Sequence, residues 1–150
     1  MNNVWIDFLK SQGAQRSADF TSAFTRGSQT ASAAASACIL ADLSHSAIIA
    51  VNGRDATSFL QNQLTHDVTQ VLNHQSQLSG YCTPKGRLLC IFRVCSYQER
   101  LHLIFPRSLL EAVLTRLKKY VLMSKVEFAD LDVSWAHMGI AGDKAGQLLQ

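Results

Sequence analysis

The 150-residue sequence contains no apolar run near the twenty residues or so that carry a helix across a bilayer, so no membrane-spanning helix is expected. Its opening, MNNVWIDFLK, includes Asp7 and has no basic segment ahead of an apolar core, which excludes a secretory signal. Residues 14–38 have the Ala, Ser, Thr and Arg content of an organelle-targeting segment, but Asp19 and the internal position argue against that use. No G-x-G-x-x-G, P-loop or G-x-S-x-G is present, so nucleotide binding or serine hydrolysis by those devices has no support. The four cysteines (Cys38, Cys82, Cys90, Cys95) form no C-x-x-C pair, and the five histidines show no H-x-x-x-H or H-E-x-x-H spacing. Zinc is therefore not expected. Free thiols in a reducing, cytoplasmic setting are the better account of the cysteines than disulfides or metal ligands.

Charge excludes little more. Fourteen basic and eleven acidic residues leave a net charge of +3, too small to demand a nucleic-acid partner. Lys118, Lys119, Arg116 and Lys125 form the one local basic cluster, which reads as the exposed face of a helix rather than an RNA-binding stripe. Asp130 and Asp132 alternate along a strand pattern and read as a solvated face rather than an acid–base pair. With 47% apolar and 17% charged residues, the composition is that of a globular domain with a core.

Periodicity supplies the elements. Val4, Trp5, Phe8 and Leu9 fall at helical spacing and Gly13 ends the run. Residues 14–35 are small and polar, a loop or weakly packed extension, with low complexity at 30–37. From there the texture changes. Cys38 to Leu43 and Ala47 to Val51 read as strands joined through Ser44, His45 and Ser46, with Asn52 and Gly53 as a turn. Asp55 is the expected N-cap of a helix to Leu64 with Phe59, Leu60 and Leu64 inward. Leu78 to Thr83, Arg87 to Ser96 and Leu101 to Phe105 read as an antiparallel meander. Ser108 should cap a helix to about Leu122, followed by strands at Val126–Leu131 and Val133–Ile140 and a last helix from Gly142. The order from Cys38 is ββαβββαββα, an α+β fold of antiparallel sheets with packed helices. The expected layout is an N-terminal helix and linker over residues 1–36 and one α+β domain over 37–150. The sequence stops inside a helical pattern, which points to a longer parent protein.

The informative text is VNGRDATSFLQNQLTHDV, from Val51 to Val68, followed by YCTPKGRLLCIFRV, from Tyr81 to Val94. Thr65 and Asp67 can hydrogen-bond the backbone as the helix ends. Lys85 and Arg87 flank Gly86 at an exposed turn, two cations beside a bare backbone, which is a seat for a carboxylate or phosphate. On the residues alone an ordinary solvated turn is the better account. Together these phrases, with Asp42-Leu43-Ser44 before them and GIAGDKA at Gly139–Ala145, resemble the N-terminal part of YgfZ-type folate-binding proteins, relatives of the glycine-cleavage aminomethyltransferase. The resemblance covers about residues 38–150.

The resemblance implies antiparallel sheets and helices around a folate-sized channel and tetrahydrofolate as the ligand, bound by the complete parent protein. It also implies a role in making or repairing iron–sulfur enzymes and in tRNA modification that depends on them, with those enzymes or their assembly proteins as partners. The hairpin cations Lys85 and Arg87, with Gly86, would meet the glutamate carboxylates. Tyr81 and Gln63 are weaker candidates for the pterin slot, with core or helix-surface packing as their competing account. Two departures matter. Aminomethyltransferases carry an acidic pair where Cys90 and Ile91 stand, and a tyrosine where Leu78 stands, which argues against aminomethyl transfer by this chain. The K-G-C-aromatic motif that holds the YgfZ functional cysteine is not in these 150 residues, so none of the four cysteines inherits that role. A binding module is therefore expected. A folate-dependent aminomethyltransferase-like enzyme and a direct tRNA-binding modification factor are the alternatives.

Overall fold

The computed structural model describes residues 2–17, 20–24, 38–71 and 75–147. Of the linker expected up to residue 36, residues 18, 19 and 25–36 lie outside them. The described chain divides into two compact units, one of residues 1–45 with 132–150 and one of residues 46–131.

In the first unit, helix α1 (Asn3–Ser11) is capped by Asn2, whose Oδ1 accepts from the Val4 and Trp5 amides at 3.0 and 3.4 Å. Gly13, at φ 81°, turns the chain out of the helix. Residues expected as loop or loose extension instead form an antiparallel pair, β1 (Ala14–Ser17) with β2 (Phe20–Phe24). Strand β3 (Ile39–Asp42) pairs antiparallel with β9 (Met138–Ala141), not with the strand that follows it. The Asp42 carboxylate binds the Ser44 amide and hydroxyl and so turns the chain away from a hairpin; it also accepts from the Trp5 indole at 3.0 Å. The strand expected at Val133–Ile140 is shortened to β9. The helix expected after Gly142 is one 3-10 turn, Ala145–Gln147, among the described residues.

The second unit is a five-stranded antiparallel sheet of order β5–β6–β7–β4–β8. Its strands are β4 (Ser46–Asn52), β5 (Ser76–Cys82), β6 (Leu88–Tyr97), β7 (Arg100–Pro106) and β8 (Glu127–Asp130). Helices α2 (Ala56–Gln61) and α3 (Leu110–Val121) contribute Phe59, Leu60, Val113 and Leu117 to a core with Ile49, Val51, Phe92, Val94 and Leu103 from one sheet face. That face is continuous because directly paired residues point the same way: Val94 opposite Leu103, and Leu103 opposite Ile49. Phe92 packs edge-on against Phe105 at 5.1 Å and stacks on Tyr81 at 6.0 Å.

Two helix caps differ from expectation. Asp55 sits at the start of α2 without capping it; its Oδ2 accepts from the Lys125 amide at 2.8 Å. Gly53, at φ 110°, brings the chain so close to Lys125 that the carboxylate finds that amide first. Ser108 does not cap α3, because a 3-10 turn (Arg107–Leu109) follows Pro106 and the helix begins one residue later than a Ser108 cap would set it. Asp130 is ion-paired to Arg107 through both carboxylate oxygens, at 3.3 and 3.4 Å.

Candidate functional site

The phrase from Gln61 to Asp67 is a clip that holds the edge strand β5. Gln61 Oε1 accepts from the Val68 amide at 2.8 Å, closing the connection after α2. Thr65 binds Gly80 in both directions: its amide donates to the Gly80 carbonyl at 3.0 Å and its Oγ1 accepts the Gly80 amide at 2.8 Å. Ser79 Oγ accepts the His66 amide at 3.0 Å. Asp67 Oδ1 accepts from the Thr69 hydroxyl and amide at 2.6 and 3.0 Å, which caps the turn Val68–Val71 and lowers the Asp67 pKa, the Thr69 hydroxyl contributing most. These polar residues therefore fix where the β5–β6 hairpin stands.

The hairpin has two sides. Register pairs Leu78 with Arg93, Gly80 with Ile91 and Tyr81 with Cys90. One side thus carries Leu78 (55% exposed), Gly80, Ile91 (52% exposed) and Arg93. A one-residue irregularity after Tyr81 sets Cys82 opposite Leu88, and Leu88 and Leu89 are both exposed there. The result is a solvent-facing apolar strip, with Gly80 half-buried beside the Thr65 and Leu88 side chains. Of the three positions that the resemblance set against an aminomethyltransferase tyrosine and acidic pair, Leu78 and Ile91 share this strip, whereas Cys90 is buried on the other side. Burial pushes the Cys90 thiol up to about 11. At pH 8 alkylation of Cys90 in the folded protein should run on the order of 100-fold slower than in the unfolded chain, because so little thiolate is present. Mass-spectrometric mapping of iodoacetamide adducts checks this; Cys90 labelling as fast as Cys82 contradicts it.

The turn joining the two strands is tight. The Thr83 amide donates to the Arg87 carbonyl at 2.8 Å, the Gly86 amide donates to the Thr83 carbonyl at 2.9 Å, and Thr83 Oγ1 accepts the Arg87 amide at 3.1 Å. Gly86 has φ 76° with nothing near its missing Cβ, so a ligand has open approach to its backbone. Lys85, Gly86 and Arg87 are all exposed.

Tyr81 and Gln63 are brought together, but on the helix side of the hairpin. They line a cavity of about 330 Å³ with Asn62, Cys82, Thr83, Pro84, Arg116 and Tyr120. Thr83 and Pro84 form its edge next to the turn, while Lys85, Gly86 and Arg87 are not in its lining. Arg116 is half-buried there, not on an exposed helix face with Lys118 and Lys119. The readable signal was its position one residue before inward Leu117, with Tyr120 four residues on.

Comparison with known proteins agrees with the resemblance in the sequence. Residues 5–150 match the family model described as the GCVT N-terminal domain. The chain is 40% identical over 103 residues to the tRNA-modifying protein YgfZ of Hamiltonella defensa subsp. Acyrthosiphon pisum (strain 5AT), a match covering 69% of this chain and 30% of that protein. It is 38% identical over 104 residues to the tRNA-modifying protein YgfZ of Enterobacter sp. (strain 638), covering 69% of this chain and 32% of that one. The chain thus spans about a third of the length of these curated relatives. The crystal structure of glycine cleavage system aminomethyltransferase T from Bartonella henselae superposes with a TM-score of 0.81 at 21% identity, covering 97% of this chain and 41% of that one. At that identity the likeness establishes the shared fold of helices and antiparallel sheets.

Proposed function

Since the chain belongs to the family of the GCVT N-terminal domain, we propose that it forms one wall of a tetrahydrofolate site in a tRNA-modifying protein of the YgfZ type. The observation that carries this is the pair of exposed apolar side chains Leu78 and Ile91 on one side of a hairpin whose turn holds Lys85 and Arg87. A pterin and its aminobenzoyl ring are flat and need apolar contact. The glutamate tail carries two carboxylates and needs cations near the end of that surface. Guanidinium groups suit carboxylates because they can bind both oxygens at once. The residues therefore fit the ligand's chemistry.

Binding rather than group transfer is the role the strip supports. A folate-dependent aminomethyl transfer needs a carboxylate to orient the folate and stabilise a developing iminium. Ile91 stands on the strip and Cys90 is buried with its thiol protonated. In this reading the folate supports the upkeep of iron–sulfur enzymes on which tRNA modification depends, and the remaining walls of the site come from chain beyond these residues.

Ile91→Trp tests the strip directly. Ile91 is exposed, so the larger ring is tolerated by the fold while it fills the surface on which the pterin would lie. Tetrahydrofolate affinity, measured by calorimetry on the chain with any further sequence its gene encodes, should fall about tenfold or more, roughly 1.4 kcal/mol. An unchanged affinity removes the strip from the site.

A further inference from the structure

The cavity on the helix side of the hairpin holds two buried polar atoms that no protein group satisfies: the Tyr81 hydroxyl and the Arg116 Nε. Tyr81 is 2% exposed, so its hydroxyl has lost its water without gaining a protein partner, and buried polar atoms are rarely left so. The Arg116 guanidinium lies beside the Tyr81 hydroxyl and 5.8 Å from the centre of the Tyr120 ring, with its Nε left without a partner. Both orphan groups are N–H or O–H donors. Gln63 and Asn62 add amides and Thr83 a hydroxyl. Arg116 is the one charged residue lining the cavity.

We propose that this cavity is a binding site for a small organic carboxylate, whose oxygens accept from Tyr81 Oη–H and Arg116 Nε–H. A single guanidinium balances one negative charge, which favours a monocarboxylate over a phosphate dianion. The volume of about 330 Å³ suits a molecule of several heavy atoms rather than a bare ion. Tyr120, its ring centre 5.8 Å from the guanidinium carbon, attracts the cation through its face and adds apolar ring surface for a tail. The site is separate from the folate strip, because Tyr81 pairs with buried Cys90 whereas Leu78 and Ile91 point the other way. Burial raises the Tyr81 pKa, so the hydroxyl keeps its proton and remains a donor at neutral pH.

The test uses nitrogen-15 NMR of the arginine side chains, titrated with sodium benzoate, sodium acetate and inorganic phosphate at constant ionic strength. The expected result is a saturable shift of the Arg116 Nε resonance with benzoate, a weaker one with acetate and none with phosphate. Tyr81→Phe should weaken benzoate about tenfold, and Arg116→Gln should abolish binding. Tyr81→Phe also reads the premise without ligand. A hydroxyl with no partner costs nothing to remove, so this variant should unfold no earlier than the parent. A lower melting temperature for Tyr81→Phe, a shift that fails to saturate, equal binding of phosphate, or benzoate binding that survives both substitutions would each overturn the proposal. Tetrahydrofolate affinity should be unchanged in Arg116→Gln, which keeps this test independent of the folate reading.

Discussion

Tetrahydrofolate binding is expected to weaken by about 1.5–3 kcal/mol for each charge-assisted bond lost when Lys85 and Arg87 are replaced together by Ala, before non-additivity. That is roughly a tenfold to hundredfold change in affinity per bond. The folded structure should not register the change, because both side chains are exposed and the turn is closed by backbone groups and Thr83. Lys118→Ala with Lys119→Ala is the control. Those exposed cations on α3 carry the same charge, so a comparable loss there would mean that folate senses only net charge. Calorimetry at two salt concentrations separates the cases, since a loose electrostatic effect fades with salt and a bidentate contact fades much less. Full affinity in the Lys85, Arg87 variant would leave the hairpin as an ordinary turn.

The second large effect falls on the fold. Gly53 stands at φ 110°, and a Cβ there would fall onto the Lys125 carbonyl oxygen. The atoms in its way, from Lys125 and Val126, are all backbone, so no side chain can rotate aside. The strained conformation alone costs about 1–3 kcal/mol, and the overlap must in addition push apart the Asp55–Lys125 bonds, one of 2.8 Å to the Asp55 carboxylate and one of 3.4 Å from its amide. Gly53→Ala should therefore cost about 3 kcal/mol or more of a total that is typically 5–15. Gly86→Ala is the matched control: φ is again positive, but nothing lies within 4 Å, and its cost should stay near 1 kcal/mol. Urea unfolding of the two variants decides it. Equal losses would mean that the approach of residue 53 to Lys125 is not a tight one.

How far the sequence revealed this arrangement depended on which force fixed each element. The meander from Ser76 to Pro106 was legible because alternation set Cys90, Phe92 and Val94 inward against exposed Leu89, Ile91 and Arg93. The helical stripes of α2 and α3 were legible for the same reason. What hid was the work of polar groups over long sequence distances. Asp55 looks like a cap because capping is local, yet its partner is seventy residues away. Asp42 looks like part of a hairpin, yet it turns β3 toward β9. The β1–β2 pair has no apolar alternation to announce it. In the candidate site, the turn of Lys85, Gly86 and Arg87 could be read directly, whereas the separation of Tyr81 from Leu78 and Ile91 required strand parity. Arg116 was missed because counting cations says nothing about which one a helix rotates inward.

The central claim, that the apolar strip and its turn form a tetrahydrofolate wall, is tested most directly by locating the ligand. Methyl-labelled Leu and Ile spectra, titrated with tetrahydrofolate on the chain with any further sequence its gene encodes, report each residue separately. The account predicts saturable shifts at Leu78, Leu89 and Ile91 and at the Gly86 amide, while the methyls of Leu60, Leu103 and Leu117, buried in the core, stay still. Binding that leaves Leu78 and Ile91 unmoved, or no saturable binding at all, would contradict it.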